Sequence, residues 1–246
     1  MNKLLLLCIL GVSILSGCKK VDGTISIAQA NDYLPLKTGK YINYNLDSTI
    51  YINFGSKDTV VKYQVQDRVD SQITDNLGRK AFRIIRFIRR DSTQAWSANN
   101  SFMAIATSST VEYVENNHRF LKLVSPVKEA NTWKGNTFID TYSINSDVKY
   151  LDDWDYVYSD MNTPITLGNV RIDSTVTVKQ RDEFLGQDPH IPSTQYAEKN
   201  YSIEKYGKNI GLIYKEFLHF EYQGGQPQRP AYYVGYGVKM TMTGHN

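Results

Sequence analysis

The chain is poor in the residues that usually announce chemistry. Its 246 residues include two cysteines, Cys8 and Cys18, and four histidines, His118, His190, His219 and His245. No two histidines sit at metal-ligand spacing, so no zinc-type site is expected. A calcium loop needs a D-x-D-x-D-G run with a late Glu, and none is present. G-x-S-x-G, P-loop and glycine-rich dinucleotide motifs are missing too. A Ser-His-Asp triad assembles only in space, so these absences lower the case for a hydrolase without deciding it. The expectation is a protein with no catalytic residues, no cofactor and no metal. Charge of one sign is also scarce: 28 Lys and Arg face 25 Asp and Glu, a formal balance of +3. That gives no electrostatic case for a nucleic-acid partner. No apolar run reaches the roughly 20 residues of a membrane-spanning helix, and no convincing amphipathic helix is found.

The N-terminus carries one compact signal. Lys3 is followed by Leu4 to Leu15, an uncharged apolar run. It is too short to span a bilayer but suits the h-region of a secretory signal peptide. Small residues Ser16 and Gly17 come next, then Cys18. Leu15-Ser16-Gly17-Cys18 resembles the lipobox of bacterial lipoproteins at all four positions. The resemblance implies cleavage before Cys18 and lipid attachment to its thiol, which as a thiolate is a strong nucleophile. One acyl chain binds a membrane only marginally, at about 0.8 kcal/mol per buried CH2, while two or three hold firmly. Residues 1–17 are then a signal peptide, 18–32 a lipidated Cys with a flexible tether, and 33–246 the domain. Lys19 directly after Cys18 implies, by the same resemblance, outer-membrane routing. The face of that membrane stays open, because Lys19-Lys20-Val21-Asp22 is an ambiguous match to surface-export signals. With Cys8 in the signal and Cys18 lipidated, the mature chain has no thiol for a disulfide or a nucleophile.

Beyond the tether the dominant signal is alternation. Ile42, Tyr44, Leu46, Ile50, Ile52 and Phe54 share one parity, with Asn and Asp between them. Gly55 to Asp58 is a turn, and Val61, Tyr63, Val65, Val69 and Ile73 begin a second strand, which predicts a long hairpin. Further strands are expected over Phe82–Ile88, Gln94–Thr107, Val111–Val114, Phe120–Val124 and Val170–Lys179. Three more follow over Tyr196–Tyr206, Ile210–Tyr222 and Ala231–Met242. In the last, Tyr232, Val234, Tyr236, Val238, Met240 and Met242 share a face. Gly235 and Gly237 on the other face permit a bend. Asp182 to Ser193, with Gly186, Pro189 and Pro192, is expected to be an exposed loop. Eighteen tyrosines against nine phenylalanines point to half-buried positions with wet hydroxyls.

Three clusters can be read functionally or blandly. Arg79, Lys80, Arg83, Arg86, Arg89 and Arg90 could hold nucleic acid or phosphate, but a solvated strand face or edge, where positive charge also discourages pairing, accounts for them, and that reading is preferred. Trp154, Tyr156 and Tyr158 among Asp147, Asp152, Asp153, Asp155 and Asp160 could stack on a sugar. Strand alternation already explains their spacing. His219 lies opposite the apolar parity of its strand, which predicts a surface position.

Two passages carry a second resemblance. Tyr33 to Tyr41 with Asp47-Ser48, and Ile203 to Glu216, are similar to the domain opening and C-terminal hairpin of uncharacterised Gram-negative lipoproteins. This implies a curved antiparallel sheet like the half-barrel of outer-membrane lipoprotein carriers, without their helix in the concavity. Gly39-Lys40-Tyr41 also resembles the Gly-x-Trp opening of lipocalins, with Tyr in place of Trp. The expected fold is all-β, a single strongly curved antiparallel sheet forming a half-barrel or open barrel. The expected function is that of a non-catalytic, outer-membrane-anchored envelope lipoprotein that binds a hydrophobic ligand or an envelope protein. A structural subunit of an outer-membrane assembly is the alternative, and a hydrolase or glycan-binding protein stands behind both.

Overall fold

A computed structural model describes residues 28–246; the lipobox and Cys18 lie outside the described residues. Twelve strands form one antiparallel sheet that curls until its edges nearly meet. In chain order the strands are β1 (Tyr41–Ile52), β2 (Lys57–Thr74), β3 (Lys80–Arg89), β4 (Ser97–Ala106), β5 (Thr110–Glu115), β6 (His118–Val124) and β7 (Thr132–Lys134). Then come β8 (Asp155–Ser159), β9 (Ile165–Leu167), β10 (Val170–Ile172), β11 (Thr175–Gly186), β12 (Tyr196–Gly207), β13 (Gly211–Gln223) and β14 (Tyr232–His245). The sheet order is β6-β5-β4-β3-β2-β1-β14-β13-β12-β11-β8-β7, and β9 and β10 form a separate hairpin. The connection that makes this more than two meanders is β1 with β14, which joins the N-terminal and C-terminal halves. Among the described residues there is no α-helix, only short 3-10 turns.

The alternation places the strands well and their ends less well. Phe54 is not the end of β1 but part of the turn, left-handed at φ 57° and fully exposed. The strand expected over Val170–Lys179 is two elements: β10 turns back on β9, and β11 starts at Thr175. Residues 182–186, expected in a loop, extend β11 and pair with β12. The β1–β2 tip stands alone on one side, because β3 pairs only with Gln64 to Thr74. That is why Ile50 is exposed although its parity matches that of Leu46.

The two sheet edges meet along a seam. Leu121 N–H of β6 donates to Gly135 O at 2.8 Å, and Trp133 Nε1–H of β7 donates to Leu121 O at 2.8 Å. The Tyr158 hydroxyl donates to Val124 O and accepts from Val124 N–H, both at 2.8 Å. These bonds satisfy edge groups that would otherwise be free to pair with another chain.

One end of the barrel is plugged. Ala30 to Tyr33 form a 3-10 turn, and Ala30 and Tyr33 are buried. Val127 N–H bonds Ala28 O, and Asn209 N–H bonds Asp32 O at 2.7 Å. Residues 28–32, expected as tether, therefore belong to the packed domain. Tyr33 joins Leu123, Trp154, Tyr156, Tyr158, Val176 and Val178 in the largest apolar cluster. A second cluster around Ile42, Tyr44, Met240 and Met242 packs against the β9–β10 hairpin. Each large apolar side chain buried this way contributes roughly 1.5–3 kcal/mol. At the opposite end no 3-10 plug of this kind is found among the described residues, and a cavity occupies the interior.

Candidate functional site

The lumen is divided by a layer of charge. Six strands supply it: Asp67 from β2, Arg86 from β3, Glu115 from β5, Lys122 from β6, Glu204 from β12 and Lys215 from β13. Arg86 holds Asp67 through two bonds of 2.7 Å, Nε to Oδ1 and Nη2 to Oδ2. Lys122 Nζ donates to Glu204 Oε1 at 2.7 Å. Glu204 is buried, and its other oxygen accepts from Gln180 Nε2 at 2.9 Å and from the Tyr206 hydroxyl at 2.7 Å. Burial acts to raise the Glu204 carboxyl, but Lys122 and Lys215 outweigh it and hold the group below the ordinary carboxylate range. Lys215 Nζ lies 3.6 Å from Glu115 Oε2, a looser pair. Each charge in the layer is answered by an opposite one.

Below the layer is a small cavity of about 80 Å³, lined by apolar side chains such as Leu34, Leu36, Ile42 and Leu212. Above it is a cavity of about 770 Å³ that opens at the unplugged end. That volume is in the range of small-molecule sites. Its wall is rich in rings: Phe120, Tyr150, Trp154, Tyr156, Phe217 and Tyr236. Val234, Val238 and Met240 of β14 add aliphatic surface on the face expected for them. Gly235 is needed for this wall: its φ is 137°, and a Cβ there would sit 2.2 Å from His219 O of the neighbouring strand.

The segment from Gly135 to Trp154 crosses the mouth. It is pinned by Asn136 Nδ2, which donates to Leu151 O at 2.8 Å, and by Trp154 Nε1, which donates to Tyr150 O at 2.7 Å. Tyr150 reaches across to β13 and stacks on His219, with ring centroids 3.8 Å apart. Beside it, Phe217 and Tyr236 stack at 5.0 Å.

His219 is thus not at the surface, as its parity predicted, but 7% exposed in the cavity wall. The inward face of β13 carries Lys215, Phe217, His219 and Glu221, so polar residues share it with an aromatic ring. Asn200 Nδ2 is committed to Glu198 Oε1 at 2.7 Å, so the Oδ1 atom faces His219 and the Nδ1–H donates to it at 2.8 Å. The Nε2 atom has no hydrogen-bond partner among the described residues. His118 also lines the cavity, with no serine or carboxylate among the described residues bonded to it. His190 contacts Asp188 in an exposed loop, and His245 lies at the chain end.

The basic run is taken up locally. Arg79 binds Asp75 and Glu112, Arg83 binds Asp70, and Arg89 lies over Trp96 at 4.2 Å. β3 pairs with both β2 and β4, so the basic run is not on an edge, and Arg86 departs from a solvated face too, since it points into the lumen. Its parity matches that of Phe82, Ile84 and Ile88, a signal present in the sequence. The Lys122–Glu204 pair carried no such signal. Trp154, Tyr156 and Tyr158 are buried as expected of the inward face of a strand, while Asp153 and Asp155 are exposed and pair with Lys134.

No protein-family model and no curated protein matches the chain. Among solved structures, a Bacteroides fragilis protein provisionally described as exported, with a YmcC-like fold, aligns over 86% of this chain and 99% of its own. The identity is 10% and the TM-score 0.40. A Parabacteroides distasonis protein provisionally described as a lipoprotein aligns over 89% of this chain and 99% of its own, at 13% identity and a TM-score of 0.36. At these scores neither likeness decides the function.

Proposed function

We propose that this protein is an outer-membrane lipoprotein, anchored through lipid on Cys18, whose barrel binds a small amphipathic molecule in the open half of its lumen. The observation that carries the reading is the 770 Å³ cavity, walled by rings and aliphatic side chains and floored by charge. A purely structural barrel of this size would be expected to fill its interior, since voids forfeit dispersion contacts. The lower half comes close, keeping a cavity of only about 80 Å³. Ala28, the first of the described residues, lies at the plugged end, away from the mouth. Ten residues from Cys18 to Ala28 can span at most about 36 Å, which keeps the domain close to the bilayer. The protein carries no catalytic role in this reading.

The test is native mass spectrometry on the full chain bearing Cys18→Ala, purified without detergent. A discrete bound mass, lost on denaturation, is expected. A bare chain that also fails to take up a neutral fluorescent naphthylamine would refute lumen binding.

A further inference from the structure

Resting on the lumen-binding reading, we infer that the ligand is an amphipathic anion, and that its charged head is received by Lys215 at the floor of the upper cavity. The inference comes from how the charged layer is split between its two sides. Arg86, Lys122, Lys215 and Glu115 face both cavities, but Asp67 and Glu204 line only the lower one. Seen from above, the floor therefore presents three cations and one carboxylate. Asp147, Lys149 and Glu221 also line the upper cavity and together add one negative charge, which leaves the cations in excess.

The three cations are not equally available. Arg86 spends its fork on Asp67. Lys122 is bound to Glu204 and lies 4.7 Å from the Phe120 ring. Lys215 has no hydrogen bond within 3.5 Å among the described residues: Glu115 is 3.6 Å away, and Glu204, already bonded to Lys122, acts on it only at longer range. An ammonium has three donors, and a cation removed from bulk water gains most from a charged acceptor at bonding distance. A carboxylate, sulfonate or phosphate on the cavity floor would supply one. The rings of Phe217 and Tyr236 and the side chains of Val238 and Met240 would then cover an apolar or aromatic body above the head. The neutral His219 leaves Nε2 as an acceptor partway up the wall, suited to a hydroxyl or amide on that body.

Two dyes with the same ring system separate this inference from the reading beneath it. Anilinonaphthalene sulfonate carries an anionic head; N-phenylnaphthylamine lacks it. Both are titrated by fluorescence into the full chain bearing Cys18→Ala. The expected result is that both bind and the sulfonate binds at least about tenfold tighter, the size of one charge-assisted hydrogen bond. Lys215→Gln should remove that advantage, so that the two dyes bind with about equal affinity. Glu115→Gln should strengthen sulfonate binding, which keeps the inference testable if Lys215→Gln fails to fold. Equal binding of both dyes, or no response of the sulfonate to either substitution, overturns the anionic head while lumen binding stands. Failure of both dyes to bind removes the lumen-binding reading and this inference with it.

Discussion

Tyr150 lies flat on His219, with ring planes 11° apart and centroids at 3.8 Å. This contact closes the mouth-crossing segment onto β13. Burial holds the imidazole pKa below its ordinary value, so the ring is neutral when stacked. The unfolded chain takes up this proton near pH 6.5, and the folded one only at lower pH. Stability is therefore full above about pH 6.5 and declines as pH falls toward the folded-state pKa. Thermal unfolding between pH 7.5 and 5 should show this slope, and His219→Gln should reduce it. An unchanged slope in the variant would mean that His219 is not the titrating group.

The buried Lys122–Glu204 pair is expected to be costly to break on one side. Lys122→Met leaves Glu204 buried without its bonded cation, a loss of about 3–5 kcal/mol. Adding Glu204→Gln should restore most of it, because Gln keeps bonds to Gln180 and Tyr206 without the charge. Urea unfolding of the single and double variants measures both. A double variant no more stable than Lys122→Met would show that the charge itself is not the cost.

On the outer face, Glu112 is gripped by Arg79 at 2.7 and 2.9 Å and also by Arg119. The Arg79 hydrogen bonds lower its carboxyl pKa most, burial opposes them, and Arg119 adds to the lowering. Its stabilisation is present above about pH 4.3, the unfolded value, and is lost as pH falls through the lower folded one. Wild-type stability should drop between pH 5 and 3, and Glu112→Gln should flatten that drop. Parallel curves for the two proteins would contradict this.

Gly135 sits where the seam closes. A Cβ there would lie 2.2 Å from the Tyr156 ring, which is buried and bonded to Asn136 Oδ1 at 2.9 Å. Gly135→Ala must move either that ring or the backbone that accepts from Leu121 N–H. A loss of about 1–3 kcal/mol is expected, as for overpacking. Amide exchange should also quicken at Leu121. A variant with wild-type stability and exchange would mean the seam has slack the geometry does not reveal.

Cys18→Ala should release the protein from the membrane fraction and abolish acyl mass on the mature chain. A wild-type mature mass without acyl groups would end the anchor proposal.

Much of the architecture was legible. Period-two alternation located most of the main strands, because a curved sheet with one buried face forces side chains to alternate. The Gly235 bend and the inward face of β14 were readable in the same way. The site was not. Alternation marks the core only where inward residues are apolar, and in the upper lumen they are mixed. Asn200, Ser202, Glu204 and Tyr206 face inward on β12, while Ile203 between them is less buried. Parity therefore pointed away from Glu204 and His219. Glu204 lies 82 positions from Lys122, and nothing local ties the two.

What the sequence determined by itself was local: strands, turns, a lipobox-like N-terminus and the shortage of catalytic motifs. The tertiary structure alone decided which strands became the barrel's two edges. It decided that residues 28–33 plug one end, and that six charged side chains from six strands meet in one layer. The physical reason is that a hydrogen-bonded strand encodes its own period, while closure of the sheet sets which distant residues share an interior. The open cavity above the charged layer is a product of that closure.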